Sequence, residues 1–198
     1  MSPHILILAA GASTRLGQPK QLVKLGGRPA LHRVIVSATQ VAGHDVTVVL
    51  GAHAKDMTHL ISRTPASWVV NREWELGLSS SIRTGLAALP PGCAAVLILL
   101  GDQVGVTAED LRRLVDAWKG SEGTIAASVY DRHVGVPAIF PNVYFSELAE
   151  LRGDQGARAL LERNRDRLLR VQMASAAVDL DTPEHLAELS ERFEEKRS

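Results

Sequence analysis

Apolar and polar positions along this chain alternate with two periods, one typical of strands and one typical of helices. Short runs of apolar and β-branched residues indicate buried strands, and apolar residues at every third or fourth position indicate amphipathic helices. The predicted strands cover residues 4–8, 45–50, 67–70, 94–100, 124–130 and 134–140. The predicted helices cover residues 31–42, 54–63, 78–89, 108–119, 141–151 and 157–164. This alternation favours an α/β protein with a mostly parallel central sheet.

Residue types at the ends of these runs refine the pattern. The run AAVLILL at 94–100 is the most apolar, so we expect this strand at the centre of the sheet. Thr107 and Asp110 have the spacing of an N-terminal capping box for the helix that follows. The serines at 79–81 stand where helix N-caps are expected. In such sheets ligands bind beyond the carboxyl ends of the strands, and we expect the site there.

The C-terminal part of the chain carries weaker signals. Residues 168–171 and 176–180 are interpreted as two late strands that pair with each other. Thr182 and Pro183 have the pattern that caps and opens a last helix, which runs into a charged tail. No linker, repeat or low-complexity tract interrupts the pattern, so we expect a single domain over residues 1–198.

The charge balance narrows the possible partners. Lysine plus arginine and aspartate plus glutamate both number 22, so the formal net charge is zero. Nucleic-acid and membrane-surface partners normally require a basic excess, and neither is expected. Cys93 is the only cysteine, which excludes an intrachain disulfide and suits a reducing cytosol. No apolar run approaches the roughly 20 residues of a transmembrane helix, and no lysine or arginine precedes the first apolar run, so we expect a cytoplasmic protein.

The strongest candidate for chemistry is the stretch LAAGASTRLGQPKQL at residues 8–22. The first strand runs into a loop of small residues whose backbone amides can face a ligand, and Arg15 and Lys20 follow. Exposed backbone amides beside two cations favour the binding of an anion, and we expect a phosphate-rich ligand. The spacing matches neither a Walker A loop nor a dinucleotide-binding G-x-G-x-x-G loop. Alternatively, Arg15 and Lys20 are ordinary solvated surface charges.

Carboxylates at two predicted strand ends are candidate metal ligands. Asp102 follows the most apolar strand in the triplet GDQ, and Asp181 follows Asp179 in the segment DLDTPEHL. A nucleoside triphosphate arrives with Mg²⁺ and needs a carboxylate to share the ion, so the phosphate loop favours a magnesium site. Alternatively, Asp102 is a turn residue or a helix cap, and Asp179 and Asp181 only shape the turn into the last helix.

The 8–22 stretch resembles the signature L-A-A-G-x-S-x-R-[ML]-G-x-x-K of the MobA-like nucleotidyltransferases, most closely the molybdenum cofactor cytidylyltransferase branch. Leu16 stands where methionine is more usual in that signature. The matching positions are Leu8, Ala9, Ala10, Gly11, Ser13, Arg15, Leu16, Gly17 and Lys20. Further segments that resemble the family are KQLVKLGGRPAL at 20–31, WELGLSSSI at 74–82, GVPAIF at 135–140, GDQGAR at 153–158 and DLDTP at 179–183.

The resemblance implies a three-layer, Rossmann-like nucleotidyltransferase fold and a site built from these segments. Arg15 and Lys20 are the implied catalytic cations, with Arg15 on the β- and γ-phosphates and Lys20 on the α-phosphate. Asp102 is implied to act in catalysis as a ligand of Mg²⁺, together with Asp181. The implied nucleotide-binding residues are Leu8, Ala9, Ala10, Gly11, Arg15, Lys20, Gly77, Ser80 and Ser81. The implied acceptor-binding residues are Asp154, Gly156 and Arg158, although their glycine-rich turn could equally be structural.

The resemblance also implies a reaction, which is transfer of a nucleoside monophosphate from an NTP to a phosphate monoester with release of pyrophosphate. The implied substrate pair is CTP with molybdopterin-bound molybdenum. CTP is implied because, in the family, the motif LAAG, with Ala10, occurs in the cytidylyl branch and LAGG in the guanylyl branch. The acceptor is implied by the overall likeness to the family and not by a particular motif. A molybdenum hydroxylase is the possible recipient of the product. The alternatives are GTP as the donor, a sugar or polyol phosphate as the acceptor, and a non-catalytic module that hands cofactor to a molybdenum hydroxylase.

Overall fold

A computed structural model describes residues 2–13, 17–121, 123–180, 186–187, 189 and 193 of the chain. Two of the predicted site residues, Arg15 and Asp181, lie outside the described residues, as does the predicted cap at Thr182 and Pro183. The strands are β1 (His4–Ala9), β2 (Lys24–Leu25), β3 (Arg28–Pro29), β4 (Val46–Leu50), β5 (Ser67–Val70), β6 (Ala95–Leu100), β7 (Ala126–Tyr130), β8 (His133–Pro141) and β9 (Leu169–Gln172). The α-helices are α1 (Ala30–Ala42), α2 (Ala54–Ile61), α3 (Leu78–Ala87), α4 (Ala108–Trp118), α5 (Phe145–Glu150) and α6 (Arg158–Arg163).

The main sheet has seven strands in the order β5-β4-β1-β6-β8-β7-β9. Strands β5, β4, β1 and β6 run parallel to one another, β8 is antiparallel to both β6 and β7, and β9 is parallel to β7. The prediction of a mostly parallel sheet is therefore confirmed. β6 is the fourth of the seven strands, so the most apolar run does lie at the centre, where both faces are covered.

Helices cover both faces of the sheet, which makes the three-layer architecture. Successive residues of a strand point to opposite faces, and β1 shows this directly. Ile5 and Ile7 join the apolar core formed with α1, α2 and α4, whereas Leu6 and Leu8 join the core formed with α3, α5 and α6. Because both faces of β1 are buried, the strand is a continuous apolar run from Ile5 to Ala9 after His4.

Three local predictions differ from the structure. The predicted helix over residues 141–151 is a 3₁₀ turn, Asn142–Tyr144, followed by the shorter α5, because Pro141 still belongs to β8. Residues 176–180 do not form a strand that pairs with 168–171. Instead β9 pairs with β7, and Ala174–Ala177 forms a 3₁₀ turn. The Gln103 side-chain amide holds this turn, since Nε2 donates to Ala176 O at 3.1 Å.

The third difference concerns the serines at 79–81, which do not cap α3. The N-cap residue is Gly77, with φ of 91°, and no side chain caps the helix there. All three serines lie within the first turns of α3 and are at most 2% exposed. The hydroxyl groups of Ser80 and Ser81 accept hydrogen bonds from Asn71 instead, which a helix-cap pattern in the sequence does not reveal.

The predicted capping box of α4 is confirmed and extends to a distant segment. Thr107 N and Thr107 Oγ1 donate to Asp110 Oδ2 at 3.0 and 2.8 Å, and Asp110 N donates to Thr107 Oγ1 at 3.2 Å. Ser175 Oγ donates to the same Oδ2 at 2.8 Å, and Arg113 Nη2 donates to Oδ1 at 2.6 Å. Burial alone would raise the pKa of the Asp110 carboxyl, but these hydrogen bonds outweigh burial and lower the pKa.

Asp110→Asn should therefore destabilise the protein near neutral pH and much less in acid. A carboxyl whose pKa is lowered by folding contributes stability above its unfolded pKa and loses it as the pH falls below about 4. At pH 7 we expect the variant to lose about 2 kcal/mol in the free energy of unfolding, the usual scale for hydrogen bonds to a charged group. Urea unfolding at pH 7 and at pH 3 measures the difference. Asp116→Asn on the same helix is the control, because the Asp116 side chain is 66% exposed; an Asp110→Asn loss of equal size at both pH values would contradict the prediction.

None of the helices among the described residues is long and apolar enough to cross a membrane.

Candidate active site

The candidate site lies where β1 and β6 end side by side at the carboxyl edge of the sheet. Gly101 N, just after β6, donates to Leu8 O at 2.9 Å, and Ala52 N donates to Ala10 O at 3.1 Å. Gly51 allows this approach, because a Cβ atom there would collide with Ala10 and lie 2.8 Å from Trp74 Cβ. The loop after β1 is thus held against the loops after β4 and β6.

A cleft with two chambers opens at this edge. The small chamber, of about 430 Å³, is lined by the loop after β1, by Lys20 and Gln21, by the start of α3 and by Gly101 and Asp102. The large chamber, of about 610 Å³, is lined by the β7–β8 hairpin, the turn at 154–157 and the start of α6. Leu8, Leu78, Leu100 and Asp154 line both chambers, so two ligands bound there would lie next to each other.

Lys20 and Asp102, both predicted to be catalytic, meet in the small chamber. They are 82 positions apart in sequence, and Lys20 Nζ donates to Asp102 Oδ2 in an ion pair. Asp102 is 8% exposed, and the Lys20 side chain is 21% exposed. The pair brings a cation and a carboxylate to the wall of a cavity of ligand size. The structure therefore places these two residues where a phosphate and its metal ion could reach them.

Gln21 holds the shape of the loop after β1, and sequence reasoning gave it no role. Its side chain is buried, at 2% exposed. Nε2 donates to Ala9 O at 3.4 Å and to Gly11 O at 3.2 Å, and Oε1 accepts from Ser13 Oγ at 3.2 Å. Ser13 Oγ in turn accepts from Lys20 N at 3.1 Å. The available signal in the sequence was its position next to Lys20, within the 8–22 stretch that is predicted to bind a phosphate-rich ligand.

Gln103 holds the turn that carries Asp102 and was also given no role. Oε1 accepts from Leu100 N at 3.1 Å, and Nε2 donates to Val136 O at 2.8 Å and to Ala176 O. These three hydrogen bonds could not be predicted from the sequence, because the partners lie on β6, on β8 and in the late 3₁₀ turn. The contacts fix the carboxyl end of β6 against β8 and the late 3₁₀ turn.

Asn71, at the end of β5, organises the segment that covers the small chamber. It is 2% exposed. Nδ2 donates to Ser80 Oγ at 2.8 Å and to Ser81 Oγ at 3.1 Å, and Oδ1 accepts from Glu73 N at 2.9 Å. Ser80 Oγ donates to Gly77 O at 2.7 Å, whereas Ser81 lines the chamber. Of the two serines implied to bind the nucleotide, Ser81 is the one that lines the small chamber.

Gly77 packs against the turn at Gly153 and Asp154, so two segments that the sequence presented as separate motifs are in contact. Its φ is 91°, and a Cβ atom there would lie 2.5 Å from Gly153 O and 2.6 Å from Asp154 Oδ1. Ser79 N donates to Gly153 O at 3.1 Å. The predicted nucleotide segment and the predicted acceptor turn are therefore packed on each other with no space for a side chain at Gly77.

The large chamber contains the predicted acceptor residues Asp154, Gly156 and Arg158. Arg158 is on the surface, where Nε donates to Glu162 Oε1 at 2.8 Å and the side chain is 65% exposed. A surface ion pair of this kind contributes little to stability, so a phosphate could replace Glu162 as the partner of Arg158. Tyr130 lines the same chamber, and burial first of all raises the pKa of its phenol. Tyr130 is therefore a neutral group that can donate a hydrogen bond at physiological pH.

The described donor set fits a metal ion that is shared with a phosphate ligand. Within the described residues there is no group of three or more His, Cys, Asp or Glu side chains that could hold a metal ion by themselves. Asp102 contributes one carboxylate at the chamber wall. Mg²⁺ bound with a nucleotide characteristically uses only one or two protein carboxylates, with phosphate and water oxygens completing its shell. Asp102 fits that pattern, and Asp181, the second predicted ligand, lies outside the described residues.

Comparison with known proteins identifies relatives over most of the chain. The family description of a MobA-like NTP transferase domain matches residues 5–168. Nicotine blue oxidoreductase of Paenarthrobacter nicotinovorans is 29% identical over 195 residues, which are 93% of this chain and 94% of that protein. Bifunctional protein GlmU of Acidithiobacillus ferrooxidans is 34% identical over 136 residues, or 67% of this chain. That match covers 30% of GlmU, so this chain spans about a third of the length of such relatives.

Solved structures extend the likeness to the whole fold. The Mycobacterium sp. strain JC1 homologue of Mycobacterium tuberculosis Rv0371c has a TM-score of 0.82 and 31% identity, with coverage of 95% of this chain and 96% of that chain. Rv0371c of M. tuberculosis H37Rv, in complex with manganese, has a TM-score of 0.80 and 28% identity, with coverage of 96% and 99%. Manganese is thus bound by a protein of similar fold and length.

Proposed function

Because this chain belongs to the MobA-like NTP transferase family, we propose that it transfers a cytidylyl group from CTP to molybdopterin-bound molybdenum, with release of pyrophosphate. The observation that carries the proposal is the Lys20–Asp102 pair at the wall of the small chamber, beside a second chamber of comparable size. A transferase of this kind needs two substrate sites in contact, with a cation and a carboxylate where they meet.

In the proposed reaction an acceptor phosphate oxygen attacks the α-phosphorus of CTP. A new phosphorus–oxygen bond forms, the bond from the α-phosphorus to the bridging oxygen breaks, and pyrophosphate leaves with the bonding electrons. The attacking phosphate oxygen is already anionic, so no side chain has to remove a proton. Positioning and charge stabilisation are then the main tasks of the protein, as in other phosphoryl transfers.

Each residue has a defined task in this proposal. The amides of the loop after β1, shaped by Gln21, bind the phosphates, and Lys20 leaves Asp102 to neutralise charge on the α-phosphate. Arg15 binds the β- and γ-phosphates. Asp102 and Asp181 would hold Mg²⁺, which supplies charge neutralisation at the phosphate oxygens when bound.

The preference for CTP rests on Ala10. Its side chain contacts the Gly51 position, where a Cβ atom would lie 2.7 Å from Ala10 Cβ, so residue 10 takes up space beside the loop after β4. A side chain at this position limits how closely the backbone of the loop can approach a base. Gly77 and Ser81, from the start of α3, are proposed to contact the same base.

The molybdopterin acceptor is proposed to occupy the large chamber. Its walls are mainly apolar, with Tyr130 and Arg158 among the polar contributors, which suits a planar heterocycle that carries a phosphate. Asp154, Gly156 and Arg158 are the proposed contacts to the acceptor. The product would then pass to a molybdenum hydroxylase.

Other functions give different results in one assay. A GTP-dependent enzyme or one with a sugar or polyol phosphate as acceptor would release pyrophosphate with a different substrate pair. A non-catalytic carrier of cofactor for a molybdenum hydroxylase would release none. Redox activity, which the name of the P. nicotinovorans relative indicates for that protein, would also release none. Pyrophosphate release on adding NTP and acceptor therefore separates nucleotidyl transfer from the last two functions.

Calorimetric titration with nucleotides in the presence of Mg²⁺ is the experiment that tests the proposal first. We expect CTP to bind at least about tenfold more tightly than GTP, ATP or UTP, a difference of about 1.4 kcal/mol. A preference for GTP would be consistent with nucleotidyl transfer but would contradict the assignment of a CTP preference to Ala10. Equal binding of all four nucleotides, or none, would contradict the cytidylyl proposal and favour a non-catalytic role.

A further inference from the structure

The hydrogen-bond directions around Asn71 can be assigned from its partners. Asn71 Oδ1 accepts from the backbone amide of Glu73 at 2.9 Å, and a backbone N–H can only donate. The NH₂ group of Asn71 must therefore face the two serines, and its two protons serve Ser80 Oγ at 2.8 Å and Ser81 Oγ at 3.1 Å. Both hydroxyl oxygens are acceptors in these contacts, so each hydroxyl proton has to point elsewhere.

The hydroxyl protons of Ser80 and Ser81 differ in their hydrogen-bond acceptors. Ser80 Oγ donates to Gly77 O at 2.7 Å, and Gly77 O also accepts from Ser80 N at 3.1 Å. Gly77 O, the carbonyl four residues before Ser81, thus already accepts two hydrogen bonds from Ser80. In the described part of the chain no acceptor is recorded for the Ser81 hydroxyl proton, and Ser81 lines the small chamber. The remaining direction for that proton is into the chamber.

From this geometry we propose that Asn71 is a positioning residue that makes the Ser81 hydroxyl a hydrogen-bond donor toward ring nitrogen N3 of a bound cytosine. This inference rests on the proposed function, since it assumes that the small chamber holds the base of an NTP. N3 of cytosine is an acceptor, whereas N3 of uracil carries a proton. A fixed donor at this position accepts cytosine and leaves two donors facing each other with uracil, which is the arrangement that discriminates most strongly between otherwise similar ligands.

The decisive variant is Asn71→Asp, which keeps the shape of the side chain and reverses its hydrogen bonds. An ionised carboxylate only accepts, so both serine hydroxyl protons would turn toward residue 71 and Ser81 Oγ would present its lone pairs to the chamber. The amide of Glu73 keeps its acceptor. We expect the ratio of the CTP to the UTP dissociation constant, measured by calorimetry with Mg²⁺, to shift at least about tenfold in favour of UTP.

The double variant tests whether Asn71 acts through Ser81 and not through general loss of structure. Ser81→Ala alone should reduce the preference for CTP over UTP, and adding Asn71→Asp to Ser81→Ala should change the ratio no further. Ser79→Ala is the matched control, because Ser79 lies in the same turn and its hydroxyl accepts from Arg83 at 3.4 Å. Its CTP-to-UTP ratio should equal that of the unaltered protein.

The outcomes separate this inference from the proposed function. A folded Asn71→Asp variant with an unchanged CTP-to-UTP ratio would overturn the role of Asn71 while the cytidylyl proposal stands. If Asn71→Asp does not fold, as judged by its thermal unfolding, an unchanged ratio in Ser81→Ala overturns the inference in the same way. If the unaltered protein binds neither nucleotide, the proposed function fails and this inference fails with it.

Discussion

Replacing Asp102 with alanine should abolish magnesium-dependent nucleotidyl transfer. Asp102 is the carboxylate at the carboxyl end of the central strand, 8% exposed and at the wall of the small chamber. Among the described residues it is the one carboxylate that the proposal assigns to the metal ion accompanying the nucleotide. Losing one preorganised electrostatic contact typically costs about 10²–10³ in turnover, and losing a metal ligand removes several such contacts together. Pyrophosphate release from CTP and acceptor, measured at saturating Mg²⁺, gives the result.

Two further variants distinguish a metal ligand from a structural residue. Asp102→Asn preserves the size of the side chain and removes its charge, so it should also be inactive while its thermal unfolding stays close to that of the unaltered protein. Asp116→Asn, on the exposed face of α4, is the control with full activity. Binding of Mn²⁺ in the presence of CTP, measured through the spectrum of the bound ion, should be weakened only in the Asp102 variants. An active Asp102→Ala protein would show that the metal assignment is wrong.

Lys20→Ala should lower turnover by about 10²–10³, the usual effect of deleting one donor that stabilises the transition state. Lys20 forms an ion pair with Asp102, so its ammonium group is held at the chamber wall. In the proposed reaction it moves to the α-phosphate, where charge develops as pyrophosphate leaves. We expect the loss mainly in kcat, because an interaction that strengthens in the transition state affects kcat more than KM.

Lys24→Ala is the matched control for Lys20. Lys24 follows closely in the same segment, is exposed on the short strand β2 and does not line the small chamber. Its removal changes the net charge by the same amount and should leave both kcat and KM unchanged. Near-normal turnover in Lys20→Ala would remove Lys20 from its proposed role, and an equal loss in both variants would point to a general electrostatic effect.

Much of the fold could be predicted because it depends on neighbours in sequence. The apolar run of β6 predicts burial on both faces, and a strand buried on both faces lies inside the sheet. The capping box of Thr107 and Asp110 closes over three residues, so its hydrogen bonds follow from local spacing. The late 3₁₀ turn at Ala174–Ala177 could not be predicted, because its contacts to Gln103 and Asp110 come from distant segments.

The candidate site also contains residues that could be predicted from the sequence and residues that could not. Lys20 and Asp102 stand out in sequence, since each follows a buried strand in a segment that is rich in small residues. Gln21 and Asn71 do not, although both are buried and form several hydrogen bonds at the site. A buried amide is recognisable only by its partners, and those partners become neighbours only when the chain is folded.

The sequence by itself determined the alternation of strands and helices and the central strand, and it singled out Lys20 and Asp102 as candidate site residues, because periodicity and short motifs act over a few residues. Only the tertiary structure decided that Lys20 pairs with Asp102, that Gly77 packs against Gly153, and that the serines of α3 accept hydrogen bonds from Asn71 instead of capping the helix. These contacts depend on which strand ends become neighbours in the sheet. That choice minimises the exposed apolar area of the whole chain and is not encoded in any single segment.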